Sequence, residues 1–285
     1  MNATVGVQMM MLKEKVSEIG VFETMKRLHD LGFSSVEVSQ IPMAKENVME
    51  LRRASKEFSI DISALSAPLE PMFPGADAET LRDNFNKIVQ DCKTLEASYI
   101  RIGMLPFSIM GSKDEILGFI DRAEAMANRL KEHNIKLYYH THHIEFQKYD
   151  GEYLLDLMKN NTQTLGFELD VHWIQRAGLN PVNVIEQYKG RIDLLHLKDY
   201  RIAPLQVTKD DLQDMSQFFS KFTNLIEFAE IGAGNLNIGS MIDAGLNYGT
   251  VRFFIEQDDT YGADPFDCLE RSMRAIKTLG YSHLL

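Results

Sequence analysis

Short runs of apolar and β-branched residues alternate along the chain with longer segments in which apolar residues recur every three or four positions. The first pattern is typical of strands and the second of amphipathic helices. Eight strands are predicted, at 4–9, 34–39, 59–68, 98–104, 135–142, 164–173, 191–199 and 250–258. Because these strands alternate with helical segments, the pattern predicts a parallel sheet.

The predicted helices lie between and after these strands, at 21–32, 44–58, 77–97, 112–134, 150–160, 180–190, 237–249 and 264–280. Ser112 and Glu115 have the spacing of a capping box, and Pro181 stands in the first turn of its helix. No linker interrupts the eight units, although a longer polar insertion covers 200–229. The arrangement predicts one domain over 1–285, a closed α/β barrel of the (β/α)8 or TIM type, with an open doubly wound sheet as the alternative.

The charge and cysteine content narrow the possible partners and location. A formal net charge of −11 disfavours nucleic-acid binding, because an acidic surface repels phosphates. Two cysteines do not make a disulfide framework and suit a reducing compartment. No basic leader and no apolar stretch of about 20 residues is visible, so we expect a soluble cytoplasmic protein that does not bind a membrane.

Polar residues gather at the ends of the last four predicted strands, where a (β/α)8 barrel has its active site. The fifth strand ends in the stretch YYHTHHIEF at 138–146, which holds three of the eight histidines in the chain. The candidates at strands five to eight are His140, His142, Glu168, Asp170, Trp173, His196, Lys198, Asp199, Glu256 and Asp258. Together they indicate a site for a divalent cation with nitrogen and oxygen ligands.

Each candidate taken alone also has a structural interpretation. Asp170 could cap a helix, His196 could be a core histidine, and Lys198 could pair with Asp199 on the surface. Arg101, near the end of the fourth strand, is as compatible with a structural role as with substrate binding. The glycine-rich stretch 232–239 matches neither a P-loop nor a dinucleotide fingerprint, so it gives little support to phosphate binding.

Over nearly its whole length the sequence resembles the xylose isomerase-like barrel superfamily of sugar phosphate isomerases and epimerases. That superfamily also contains endonuclease IV, D-tagatose 3-epimerase, inosose dehydratase and dehydroshikimate dehydratase. The stretches that carry the resemblance are VGVQMMMLKE, LGFSSVEVS, YYHTHHIEF, ELDVHWIQRAGLNP, LLHLKDY, EIGAGNLNI and FIEQD. The third is similar to the family's Tyr-His-Asn-His-x-x-Glu-Phe.

The resemblance implies a metal bound by four side chains, three of which correspond to Asp170, His196 and Glu256. Many members have a glutamate as the first ligand, where this chain has His140. The resemblance therefore makes Glu145 the expected fourth ligand, and His140 is the alternative. Manganese is the expected metal, and magnesium, cobalt or zinc are possible.

The implied chemistry is proton abstraction next to the carbonyl of a keto-sugar or cyclitol, through an enediolate. His140 and His142 would then face the substrate, Lys198 would bind a substrate oxygen, and Trp173 would cover the sugar ring. Isomerisation or epimerisation is the expected outcome, and a lyase that expels a leaving group is the alternative. A non-catalytic sugar-binding barrel and an endonuclease IV-like phosphodiesterase are less favoured. The oligomeric states that are usual in this family imply a homo-oligomer, either a dimer or a tetramer.

Overall fold

Eight parallel strands close into a barrel in the computed structural model, which describes residues 3–73, 75–76 and 78–285. The strands are β1 Thr4–Gln8, β2 Ser35–Val38, β3 Asp61–Ser66, β4 Tyr99–Ile102, β5 Lys136–His140, β6 Gly166–Asp170, β7 Leu194–Leu197 and β8 Arg252–Ile255. Each strand pairs with its neighbours in the sequence, and β1 closes the circle by pairing with β8. The predicted TIM barrel is confirmed.

Helices follow the strands around the outside of the barrel. They are α1 Lys13–Leu31, α2 Lys45–Phe58, α3 Phe85–Leu95, α4 Lys113–Lys131, α5 Leu154–Asn160, α6 Val171–Arg176, α7 Pro181–Gln187, α8 Met215–Thr223, α9 Ile238–Tyr248 and α10 Pro265–Thr278. Their apolar faces and the outward faces of the strands form the main core. The Ser112 hydroxyl caps α4 by accepting from the Glu115 amide, as its spacing predicted.

Three predicted elements are wrong in their extent. The helix predicted at 21–32 extends back to Lys13, with a break at Gly20. The helix predicted at 77–97 begins only at Phe85, and Asp77 lies outside the described residues. The strand predicted at 164–173 ends at Asp170, where α6 begins. The Asp170 carboxylate accepts from the His172 and Trp173 amides, which caps this helix and ends the strand.

The segment at 200–229 leaves the barrel between β7 and α9. It begins and ends in an antiparallel ribbon of Asp199–Ile202 with Ile226–Ala229, and α8 lies between the two strands. None of the residues of α8 is buried, and Met215, Phe219 and Phe222 are exposed. The ribbon therefore attaches the segment at 200–229 to the barrel directly after β7, next to Lys198.

No helix within the described part of the chain is both long and apolar enough to span a membrane.

The interior of the barrel is built in layers along the strands. An apolar layer consists of Ala64, Tyr99, Tyr138, Leu194 and Phe254. Two positions further along the same strands stand Ser66, Arg101, His140, His196 and Glu256. Since residues two apart on a strand share a face, the apolar layer forms the floor of a polar layer at the carboxyl ends of the strands.

Gly166 makes room for this floor. It pairs with Tyr138 in the register of β5 and β6, and a Cβ atom on Gly166 would lie 2.3 Å from the Tyr138 ring. The tyrosine ring therefore occupies the space that any other residue at position 166 would need.

We predict that Gly166→Ala lowers the free energy of unfolding by about 1–3 kcal/mol or more, because the buried ring has to move. The matched control is Gly111→Ala, at an exposed position where a Cβ atom meets nothing within 4 Å. Urea denaturation of both variants measures the difference. Equal stabilities would contradict a floor packed around Gly166.

Candidate active site

Four ligand-type side chains converge at the carboxyl ends of four consecutive strands. His140 ends β5, Asp170 ends β6, His196 lies in β7, and Glu256 directly follows β8. All four are buried, and one donor atom from each lies within 4.8 Å of the donor atoms of the others. We call these four residues the ligand group, because two imidazoles and two carboxylates at this spacing could bind a divalent cation.

The two carboxylate oxygens of Asp170 have different surroundings. Oδ1 accepts from the His172 and Trp173 amides at 2.8 and 3.1 Å. Oδ2 is buried without a hydrogen-bond partner, although Lys198 Nζ lies 3.2 Å away. A buried carboxylate oxygen without a hydrogen bond is costly, so this atom fits a position that faces a cation.

A second set of charged side chains contacts the ligand group. Arg101 donates to Glu37 at 2.8 Å and lies 3.6 Å from Glu168. Both carboxylates reach His196, whose Nε2 is 3.3 Å from an oxygen of each. The other ring nitrogen of His196, Nδ1, lies 2.9 Å from Glu256. His196 therefore connects Glu37 and Glu168 with Glu256 of the ligand group.

Glu168 contacts both histidines of the ligand group. Its Oε1 lies 3.3 Å from His196 Nε2, and its Oε2 lies 3.3 Å from His140 Nδ1. Histidines that bind metals commonly donate their other ring N–H to a carboxylate, which fixes the tautomer and the ring orientation. Glu168 lies within ion-pair distance of both rings, although neither of its oxygens forms a hydrogen bond with a described residue in this structure.

The electrostatics of the interior favour a bound cation. Five carboxyl groups lie close to two permanent cations, and they belong to Glu37, Glu168, Asp170, Glu256 and Asp258, with Arg101 and Lys198 as the cations. Burial and the neighbouring Glu37 carboxylate raise the pKa of Glu168 to about 8. Although burial opposes it, the surrounding carboxylates raise the pKa of His196 well above its usual value. Protons thus offset part of a negative charge that a divalent ion would neutralise.

Lys198 is buried and surrounded by acids. Its Nζ lies 2.7 Å from Glu256, 2.8 Å from Asp258 and 3.2 Å from Asp170. It also lies 5.1 Å from the centroid of the Trp173 ring. Although burial opposes it, these carboxylates raise the pKa of Lys198, so the lysine is charged.

Glu145 lies outside the ligand group. Its carboxylate accepts from the Tyr139 hydroxyl at 2.6 Å and from the His142 amide at 2.7 Å. The Tyr139 oxygen in turn accepts from the Leu105 amide at 3.1 Å. Burial raises the pKa of Glu145 to about 7. This geometry gives Glu145 a role in shaping the turn that presents His142, and it favours His140 as the fourth ligand, the alternative left open by the sequence.

The two proposed substrate-binding residues differ in their access to the cavity at the barrel mouth. This cavity measures about 960 Å³, and Arg101, His140, His142, Lys198 and Glu256 all line it. Trp173 is not among its lining residues. Its ring stacks on His143 at 5.0 Å and lies 5.6 Å from His142, so it supports the wall from behind.

Sequence reasoning missed or undervalued three contributors. Gln8 donates to Glu256 at 2.9 Å, Glu37 meets His196 and Arg101, and Asp258 lines the cavity beside Lys198. Glu37 had a visible signal, because it lies between two valines in the strand predicted at 34–39, where a carboxylate is costly to bury without a partner.

The glycine-rich stretch 232–239 binds a carboxylate of the chain itself. Asp199 accepts from the amides of Gly232, Gly234 and Leu236 at 3.0, 3.2 and 3.1 Å. A Cβ atom on Gly234 would lie 2.2 Å from Asp199 Oδ1, which explains the glycine. These amides are already satisfied and do not form a phosphate cradle.

A family model described as xylose isomerase-like TIM barrel matches residues 25–244. No curated protein matches the chain significantly.

A solved sugar phosphate isomerase/epimerase from Parabacteroides distasonis is 18% identical, with a TM-score of 0.70 and 100% of both chains covered. A solved L-ribulose 3-epimerase is 12% identical, with a TM-score of 0.69 and 100% of this chain and 96% of the other covered. A probable 3-DHS dehydratase from Bacillus anthracis is 15% identical, with a TM-score of 0.67 and 96% and 98% covered. At these identities the solved structures show a shared fold.

We predict that His140→Ala and Asp170→Asn weaken the binding of Mn²⁺ by orders of magnitude, because each removes a donor atom of the ligand group. Glu145→Gln should retain stoichiometric metal, since that carboxylate contacts Tyr139 and the His142 amide. Elemental analysis and calorimetry measure both effects, and circular dichroism checks that the variants are folded. Loss of metal in Glu145→Gln with full metal in His140→Ala would mean that Glu145 is the ligand.

Glu168→Gln should weaken Mn²⁺ binding by about 10–100-fold, the usual effect of losing an acceptor behind a ligand histidine. The amide keeps one accepting oxygen, so it can serve one of the two ring N–H groups and not both. The visible spectrum of the Co²⁺-loaded protein should change as well. The control is Glu270→Gln, an exposed position on α10. Unchanged affinity and spectrum would exclude the role assigned to Glu168.

Proposed function

The chain belongs to the xylose isomerase-like TIM barrel family, and on that premise we propose that it is a divalent-metal-dependent isomerase or epimerase acting on a keto-sugar or related polyol. The observation that supports this most directly is the ligand group, which sits at the end of the barrel where enzymes of this fold have their active sites. The unpartnered Asp170 Oδ2 fits such a cation site.

In this proposal the cation is bound by His140, Asp170, His196 and Glu256. A mixed set of imidazoles and carboxylates suits manganese, our preferred metal, and is compatible with cobalt, zinc or magnesium. When bound, the ion supplies a Lewis acid that polarises a substrate carbonyl. Glu37 and Glu168, which pair with Arg101, contact the ligand histidines and hold them in place.

Side chains that line the cavity provide the remaining chemistry. His142 is the proposed group for moving a proton next to the carbonyl, because it lines the cavity, its Nδ1 has no hydrogen-bond partner, and its ring lies 4.7 Å from that of His140. The Tyr139–Glu145 hydrogen bond fixes the turn that carries it. Lys198 would donate a hydrogen bond to a substrate oxygen, and the three acids around it keep it charged and in position.

A lyase of the same fold is the second candidate. Removing a proton next to a carbonyl also prepares a neighbouring leaving group for expulsion, as in a dehydratase or the cleavage of a keto-glycoside. Asp258 gives this reading specific support, since its carboxyl lines the cavity beside Lys198 and could protonate a leaving group.

We predict that the Mn²⁺-loaded protein, incubated in D₂O with a panel of ketoses, keto-glycosides and inososes, exchanges a carbon-bound hydrogen of its substrate. An isomerase or epimerase yields a product of equal mass apart from the deuterium, whereas a lyase releases water or an aglycone. Mass spectrometry and NMR distinguish these products.

Chelator-treated protein and Asp170→Asn should show no exchange, whereas Asp121→Asn, at an exposed position on α4, should behave as the unaltered protein. Loss of water or aglycone with no isomer of equal mass would support the lyase. Metal binding without exchange on any substrate would contradict both reactions and favour a sugar-binding barrel.

A further inference from the structure

The cavity at the barrel mouth has two chemically different halves. Its polar half is lined by His140, His142, Lys198, Glu256 and Asp258, at the ends of β5, β7 and β8. The opposite half is formed by the connections after β1, β2, β3 and β4. Each of these four connections contributes one methionine to the lining, and we call Met10, Met43, Met72 and Met104 the methionine wall.

The surroundings of the methionine wall are also apolar. Ile41, Pro42, Leu65, Ala67 and Pro68 line the same half of the cavity. Methionine side chains are flexible and polarisable, so they adapt to apolar ligands and make favourable contacts with aromatic rings. An apolar surface of this kind is stabilised when a ligand removes it from water.

Glu79, Asp91 and Gln40, which line this half of the cavity, have partners within the chain. Lys87 Nζ lies 2.6 Å from Glu79 and 2.9 Å from Asp91, and Lys13 donates to Gln40 at 3.0 Å. These side chains therefore place little demand on the polar groups of a ligand. What remains available to a ligand in this half is mainly its apolar surface.

Apart from the proposed metal, the described residues that line the cavity offer no unpaired cationic side chain to a phosphate group. Their cationic side chains are Arg101 and Lys198. Arg101 binds Glu37 and Ser39, and Lys198 is surrounded by three carboxylates. Arginine and lysine side chains commonly bind phosphates, so the pairing of both cations makes the cavity better suited to a sugar without a phosphate group.

We propose that the substrate is a non-phosphorylated sugar that carries an apolar aglycone, with the sugar at the ligand group and the aglycone against the methionine wall. This inference rests on the proposed function for the sugar end, and it adds the substrate class. The volume of about 960 Å³ lies near the upper end of small-molecule sites and leaves room for a substituent larger than the sugar alone.

The test compares matched pairs of methyl and phenyl glycosides of several common sugars, together with the corresponding sugar phosphates, by calorimetry on the Mn²⁺-loaded protein. For at least one sugar we expect the phenyl glycoside to bind about tenfold or more tightly than its methyl partner, because the ring buries additional apolar surface. The sugar phosphates should bind no more tightly than the methyl glycosides. The same panel is then measured on variants of one methionine.

Met43→Lys should reduce the phenyl preference, measured as the ratio of the phenyl to the methyl affinity for the same sugar, whereas Met43→Leu should keep that ratio. The matched control is Met49→Lys, because Met49 is 53% exposed on α2 and does not line the cavity. No phenyl preference for any sugar, including no binding at all, would overturn the inference. Tightest binding of a sugar phosphate, or a preference that Met43→Lys leaves intact, would do so too.

The outcomes also separate this inference from the proposed function. If hydrogen exchange occurs but the phenyl preference is absent, the apolar subsite is wrong and the reaction stands. If the preference is present and depends on Met43 but no exchange occurs with any substrate, the subsite stands and the reaction is wrong.

Discussion

The interior of this barrel depends on the compensation of buried negative charge. Glu37, Glu168, Asp170 and Glu256 lie among apolar strands, where an uncompensated carboxylate would be severely destabilising. Arg101 and Lys198 offset part of this charge through ion pairs with Glu37 and Glu256. A divalent ion at the ligand group would offset more, and it would do so at the point where four strands deliver donor atoms. Electrostatic compensation and the proposed catalysis therefore use the same side chains.

The arrangement of the strands explains how these charges come together without collapsing onto one another. Tyr138, Leu194 and Phe254 fill the floor, so the polar side chains two positions later cannot sink further into the barrel. Gly166 allows the floor to close by leaving space for the tyrosine ring. Glu168 then stands one layer above Gly166 on β6 and reaches a histidine on each neighbouring strand. A single glycine thus helps to determine the height at which the carboxylate meets both imidazoles.

Periodicity predicted the barrel but left an open doubly wound sheet as the alternative, which the pairing of β1 with β8 excludes. The ends of strands also indicated Asp170, His196 and Glu256 as neighbours. The choice between His140 and Glu145 could not be made from sequence, because it depends on the Tyr139 hydroxyl, which lies on the opposite face of β5 and binds Glu145. The strand over 164–173 was extended too far for a related reason, since Asp170 both ends a strand and caps a helix, and only the fold shows the second role.

The same electrostatic constraint bears on the kind of substrate that the barrel admits. Because the acids of the interior occupy Arg101 and Lys198, neither cation is left to balance an anionic ligand, and adding a phosphate would increase the negative charge already present. A neutral polyol avoids that cost, since its hydroxyl groups can approach a cation and a charged lysine. Without a charged group, the binding free energy of such a ligand has to come from other contacts. The first four strand connections, which contribute no residue to the ligand group, offer an apolar surface for this purpose. In this proposal the barrel separates chemistry on strands five to eight from recognition on strands one to four.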